Sequence, residues 1–206
     1  MLVGAGYNAE VGYVKRTGYK SFNPQVGYTF YPKRLKFIIR HGPQFQLDQL
    51  HSDGYGFTDQ EFTLRYTARF RNQSSAYLSI NRVYLKLTDP YDPSNSDGPE
   101  YQAGEDFIYW YIFTHYRTDS RKALTFSTYA IMGGYFEGEL YSLSGDLEYK
   151  FRPYVNLSMD VNYNKVIQPS PYSSVDYWLL GPKLDITFTQ TYTWPPWSST
   201  IRSAKI

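Results

Sequence analysis

The chain has 206 residues, no cysteine, 21 Lys and Arg against 19 Asp and Glu, and a formal charge of +2. The missing cysteines exclude disulfides and thiolate metal sites, and so small a charge gives no electrostatic footprint for nucleic acid. Aromatic residues make up 19% of the chain at a mean hydropathy of −0.52, yet the longest apolar run, 107–113, falls far short of the ~20 residues of a spanning helix.

Taken in chain order, Met1-Leu2-Val3-Gly4-Ala5-Gly6-Tyr7 has neither a basic n-region nor a sustained apolar h-region, so no signal peptide is read there. Val26, Tyr28 and Phe30 alternate with Gln25, Gly27 and Thr29, which predicts a strand ending at a short connection, Tyr31-Pro32-Lys33-Arg34. Arg40-His41-Gly42-Pro43 reads as a strand break at a membrane edge, followed by a long connection over 47–57. Phe62, Leu64, Tyr66, Ala68 and Phe70 then alternate with Glu61, Thr63, Arg65, Thr67 and Arg69, before a short connection over 71–75.

In the next strand Leu78 and Ile80 share a face, whereas Val83, Leu85 and Leu87 take the opposite one. A bulge near Asn81-Arg82, or emergence above a bilayer, is expected there. A long connection covers 88–106. From Phe107 to Tyr116 both faces are apolar or aromatic, so one of them is expected to pack inside a lumen or on a neighbouring loop.

After a short connection over 118–122 comes the clearest unit. Leu143, Gly145, Leu147, Tyr149 and Phe151 alternate with Ser144, Asp146, Glu148, Lys150 and Arg152. Beyond the turn Arg152-Pro153-Tyr154, Val155, Leu157, Met159, Val161 and Tyr163 alternate with Asn156, Ser158, Asp160, Asn162 and Asn164. A last long connection spans 168–176.

Alternation of this kind arises in a soluble sheet that packs one face on a core, or in a barrel with one face on lipid and the other on a wet lumen. About ten strands of ~10 residues fit the second case. Alternating short and long connections also favour it over a Greek-key sandwich. No 3.6-residue stripe is present, so helix content should be near zero. The expected fold is all-β: an antiparallel up-and-down transmembrane β-barrel segment over 1–192, part of a larger barrel, with an irregular tail over 193–206 whose Trp194-Pro195-Pro196-Trp197 is a poor strand.

Candidate chemistry is sparse. His41, His51 and His115 are the only histidines, and no spacing suggests zinc, no Gly-x-Ser-x-Gly elbow occurs and no phosphate-binding glycine loop is present. No catalytic constellation, metal site or cofactor is read. His41 is carried as a candidate binding residue, with a solvated turn histidine as the plainer reading. His51 sits beside Asp48 and Asp53. The oxygen-rich stretch Asp89-Pro90-Tyr91-Asp92-Pro93-Ser94-Asn95-Ser96-Asp97-Gly98 lacks the spacing of a calcium loop and reads as a Pro-stiffened outer loop.

Parity predicts one constellation. If both apolar faces of the last hairpin point one way, Phe151 pairs with Val155, Glu148 with Ser158 and Asp146 with Asp160. Like charges directly opposite destabilise a sheet, so the pair should have a cationic neighbour, bind a cation or share a proton. A Lys or Arg on an adjacent strand, such as Arg65 or Arg69, is expected to compensate, with cation or sugar binding as the alternative. Glu61, Arg65 and Arg69 form a second inward stripe, read as ion pairs within the wall or as substrate contacts.

Several phrases resemble one family. They are Tyr7-Asn8-Ala9-Glu10-Val11-Gly12-Tyr13-Val14 with Arg16 and Tyr19, Arg40-His41-Gly42-Pro43, Phe136-Glu137-Gly138-Glu139, Phe151-Arg152-Pro153 and Leu184-Asp185-Ile186-Thr187-Phe188-Thr189. Over 6–190 the chain is similar to the C-terminal membrane-barrel domain of Bacteroidota surface proteins that carry a family 9-like carbohydrate-binding module at the N-terminus. The resemblance implies the bacterial outer membrane, lipid and glycans as partners, and an N-terminal module of the same protein. Members are often labelled membrane-associated hydrolases, but the resemblance supplies no catalytic residue. The expected function is therefore a barrel that anchors the binding module or passes glycan-related solutes. The alternatives are a glycan hydrolase with its active site outside this segment, and a soluble sugar-binding β-domain.

Overall fold

In the computed structural model, residues 2–3, 19–52, 54–189 and 192–193 are described. The elements are β1 (Leu2–Val3), β2 (Tyr19–Phe22), β3 (Gln25–Gly27), β4 (Ile38–Ser52), β5 (Gly56–Phe70), β6 (Ser75–Lys86), β7 (Asp106–Arg117), β8 (Leu124–Tyr135), β9 (Gly138–Phe151), β10 (Val155–Ile167), β11 (Val175–Thr189) and β12 (Tyr192–Thr193). Ten of them are longer than two residues, and no helix occurs among the described residues. Each strand pairs antiparallel with its neighbours in sequence, except that β2 and β3 both lie on β4. The sheet is thus all-β and up-and-down as expected. It is open, since no pairing among the described residues joins its two ends. Asp53, the motif over 7–16 and the tail from Trp194 onward lie outside the described residues.

β2 and β3 are one strand interrupted by prolines. Tyr19 pairs with Ser52, Gln25 with Gln46 and Phe30 with His41, all in one unbroken register. Pro24 lies opposite Leu47 and accepts its amide at 3.0 Å, and Pro43 lies opposite Tyr28 and accepts its amide at 3.0 Å. Neither proline can return a bond, because it has no N–H. Each deletes one rung, and the strand resumes beyond it. β4 therefore runs straight through Arg40-His41-Gly42-Pro43, where a break was expected. The long connection expected over 47–57 is likewise strand: β4 and β5 pair from Ile38 and Phe70 up to Ser52 and Gly56.

The register sorts the side chains into two faces. One row of opposed residues runs Phe45, Leu64, Ile80, Ile112, Met132, Tyr141 across β4 to β9. The next runs Tyr66, Leu78, Thr114, Ala130, Leu143, Tyr163, Trp178 across β5 to β11. Further rows add Leu147 and Met159, then Tyr149, Leu157 and Leu184, then Phe151, Val155 and Ile186. Most of these side chains are exposed, with Leu64 at 55% and Trp178 at 61%. Toward the end that carries the 87–105 loop, the first charged residues on this apolar face are Arg82, Glu139, Lys165 and Asp176.

The opposite face is polar over most of its length and turns aromatic at the same loop end. The β5–β6 and β6–β7 registers run without a shift through Asn81 and Arg82, so the expected bulge is absent. Val83 and Leu85 keep strict alternation and simply face the polar side. There Leu85 and Tyr109 pack on a cluster of Leu87, Tyr101, Phe107 and Phe136. The loop over 87–105 folds back to form it, held by Leu87 and Gly104 backbone bonds and a Tyr91–Tyr101 bridge. Tyr101 is 1% exposed. Its ring lies 3.7 Å from that of Tyr172, and its hydroxyl donates to Gln168 Oε1 at 3.0 Å. The neighbouring loop, not a separate lumen element, is therefore what Phe107 and Tyr109 pack on.

Candidate functional site on the polar face

The hairpin register is the one parity predicts. Phe151 pairs with Val155, Glu148 with Ser158 and Asp146 with Asp160. Ser127 Oγ donates to Asp146 Oδ2 at 2.6 Å. An adjacent strand supplies a cation, as expected, but it is neither Arg65 nor Arg69. Lys183, on the adjacent β11, acts on Asp160 while its Nζ binds Asp185 at 3.0 Å. Arg117 shares a cavity of about 230 Å³ with Asp146, Glu148 and Asp160. Arg65 and Arg69 line other cavities, farther along the sheet.

Charge along this level of the sheet is sorted by sign. From β4 to β10 the opposed polar-face residues read Arg40, Arg69, Ser75, Arg117, Ser127, Asp146, Asp160. Three guanidinium groups occupy one side of the row and two carboxylates the other, with serines between.

The Glu61, Arg65, Arg69 stripe does not form the expected ion pairs. Glu61 Oε1 accepts from the Tyr111 hydroxyl at 2.5 Å. Arg65 lies over the Tyr77 ring at 5.1 Å, and its buried Nε has no hydrogen-bond partner. Arg69 donates to Gln73 Oε1 at 3.2 Å. His41 is not on this face at all. It opposes Ala68 on the apolar side, with Nδ1 at 2.5 Å from the Tyr66 hydroxyl and its ring stacked 5.4 Å from Phe30. The candidate residues therefore fall into three cavities: Asp146 and Asp160 line one, Glu61 and Arg65 a second, and Arg69 and His41 a third.

A ring platform lies between the charged regions. Tyr77 stacks on Phe113 at 5.3 Å and on His115 at 5.0 Å, and Phe113 on Tyr129 at 6.0 Å. Such parallel rings on a wetted face offer flat apolar surfaces amid hydrogen-bonding groups. Parity places Phe113, His115 and Tyr129 here, but their side-by-side register across β6, β7 and β8 needs the pairing itself.

The calcium-like loop spends its oxygens internally. Asp92 accepts from Ser94 N and Oγ, Ser96 N and Gly98 N, at 2.6–3.2 Å. Partial burial pushes the Asp92 carboxyl up, but the Ser94 hydroxyl and these three amides outweigh it and hold it at about 2.

Compared with protein-family models, with curated proteins and with solved structures, the chain matches none.

Proposed function

We propose that this chain is a wall segment of a bacterial outer-membrane β-barrel, with its apolar face on lipid and its polar face on water. The observation that carries this reading is the apolar face itself. It runs across β4 to β11 without a Lys, Arg, Asp or Glu until Arg82, Glu139, Lys165 and Asp176 at the loop end, and most of its side chains are exposed rather than packed. The largest apolar patch on a typical soluble monomer covers only ~300–600 Å². A face of this extent needs a cover, and lipid supplies one without a second sheet. Arg40, Arg69 and Arg117 all point the other way, as they must in a bilayer where an Arg at the midplane costs ~2–4 kcal/mol.

Within that reading, the segment anchors a surface carbohydrate-binding module or passes glycan-related solutes. Support comes from the family resemblance of its short motifs and from the Tyr77, Phe113, His115 and Tyr129 platform, whose faces suit the C–H side of a sugar ring. The full chain refolded into detergent or lipid vesicles is expected to migrate differently on gels before and after heating. A compact monomer that needs no detergent would contradict the assignment. Flux of oligosaccharides through vesicles carrying the protein separates passage from anchoring.

A further inference from the structure

We propose that Arg40 and Arg69 form a binding site for an anionic group, a carboxylate or a phosphate, on the polar face. The two residues are directly opposed across β4 and β5. Like charges so placed destabilise a sheet, and no acidic side chain pairs with either among the described residues. Among the described residues the Arg40 side chain has no hydrogen-bond partner, and the Arg69 side chain bonds only the neutral amide of Gln73. The carboxylates of the same row lie beyond Ser75, Arg117 and Ser127, several strands away.

The space in front of them is built. Arg40, Arg69, Thr67, Ser75 and Tyr77 line a cavity of about 480 Å³, within the ~300–1,000 Å³ of small-ligand sites. Gly27 and Gly42 form part of its wall. A Cβ on Gly42 would fall 1.8 Å from the Tyr28 carbonyl oxygen, so only glycine lets the two strands approach there. The Thr67 hydroxyl is spent on the Gly42 carbonyl, which leaves two guanidinium groups and the Ser75 and Tyr77 hydroxyls on one cavity, a donor set that matches the several oxygens of a carboxylate or phosphate. This proposal does not depend on what covers the apolar face.

The test is calorimetric titration of the full chain, folded in detergent at low salt, with inorganic pyrophosphate and with a galacturonate trimer. At least one probe should bind, and the tighter of the two tells phosphate from carboxylate. Arg40→Gln and Arg69→Gln should each weaken it by about tenfold or more, the range for a charged hydrogen bond. Arg69→Lys, which keeps the charge and loses the fork, should weaken it less. Arg152→Gln, in the turn before β10, should leave it unchanged. Heat-dependent gel migration reports folding of each variant separately. No binding of either probe to the folded chain, or equal weakening by Arg152→Gln, would overturn the proposal.

Discussion

Asp146 and Asp160 show how much a single register fixes. Placing Phe151 against Val155 forces two carboxylates to oppose each other; Ser127 donates to Asp146 and Lys183 stands on the adjacent strand, with no tight ion pair to either carboxylate among the described residues. Replacing Asp160 with Asn should raise stability modestly, by ~0.2–1 kcal/mol as for other cross-strand pairs, and by less at high salt, since both groups are solvent-exposed. Urea unfolding in detergent at two ionic strengths measures this, and an unchanged midpoint would show that the pair carries no strain. Gly42 is the opposite kind of residue, required for its missing side chain. Gly42→Ala pushes a methyl into the Tyr28 carbonyl and should cost ~1–3 kcal/mol, read by the same unfolding curves.

Among the elements, strand alternation was legible wherever each face met one environment, as along β5, β9 and β10. It misled where the environment changed along a strand. Val83 and Leu85 looked like a parity switch, yet the strand keeps its register and the 87–105 loop brings an apolar cover to the polar face. A contact between residues far apart in sequence leaves no local signal. Pro43 and Gly42 looked like a break because proline and glycine usually end strands, but here one rung is lost and pairing continues on both sides of it. The acid pair was readable from parity alone. Arg40 was not, because Arg40-His41-Gly42-Pro43 reads as a break, and parity assigns a face only once the strand is known to run through it, as it does in register with Arg69. The 87–105 loop also carries a pH prediction. The Asp92 carboxyl sits at about 2, below its unfolded value, so its contribution is present above pH ~4 and is lost as pH falls through about 2. Protease cleavage within 92–98 by an acid-stable protease should rise over that window, and Asp92→Asn should flatten the rise.

For the whole molecule, the core is confined to the loop end while the broad face of the sheet is left bare. A soluble domain hides its apolar face, whereas here, among the described residues, five buried hydrophobics, Leu87, Tyr101, Phe107, Phe136 and Val166, stand against a long series of exposed ones. Sorting charge by sign gives the polar face a transverse field at the level of Arg40 and Asp160, basic over β4 to β7 and acidic over β9 and β10, while Asp48 and Glu61 oppose each other farther along β4 and β5. That arrangement orients a dipolar or anionic solute more than it stabilises the sheet. The assignment of the apolar face to lipid is the claim on which this picture rests. Trp110 and Trp178 report on it directly, exposed at 58% and 61% on that face. With Trp194 and Trp197 replaced by Phe, the protein reconstituted in vesicles of lipids brominated on their acyl chains should lose most of its tryptophan fluorescence, while aqueous iodide quenches little. Strong iodide quenching with no effect of the bromines would contradict the account.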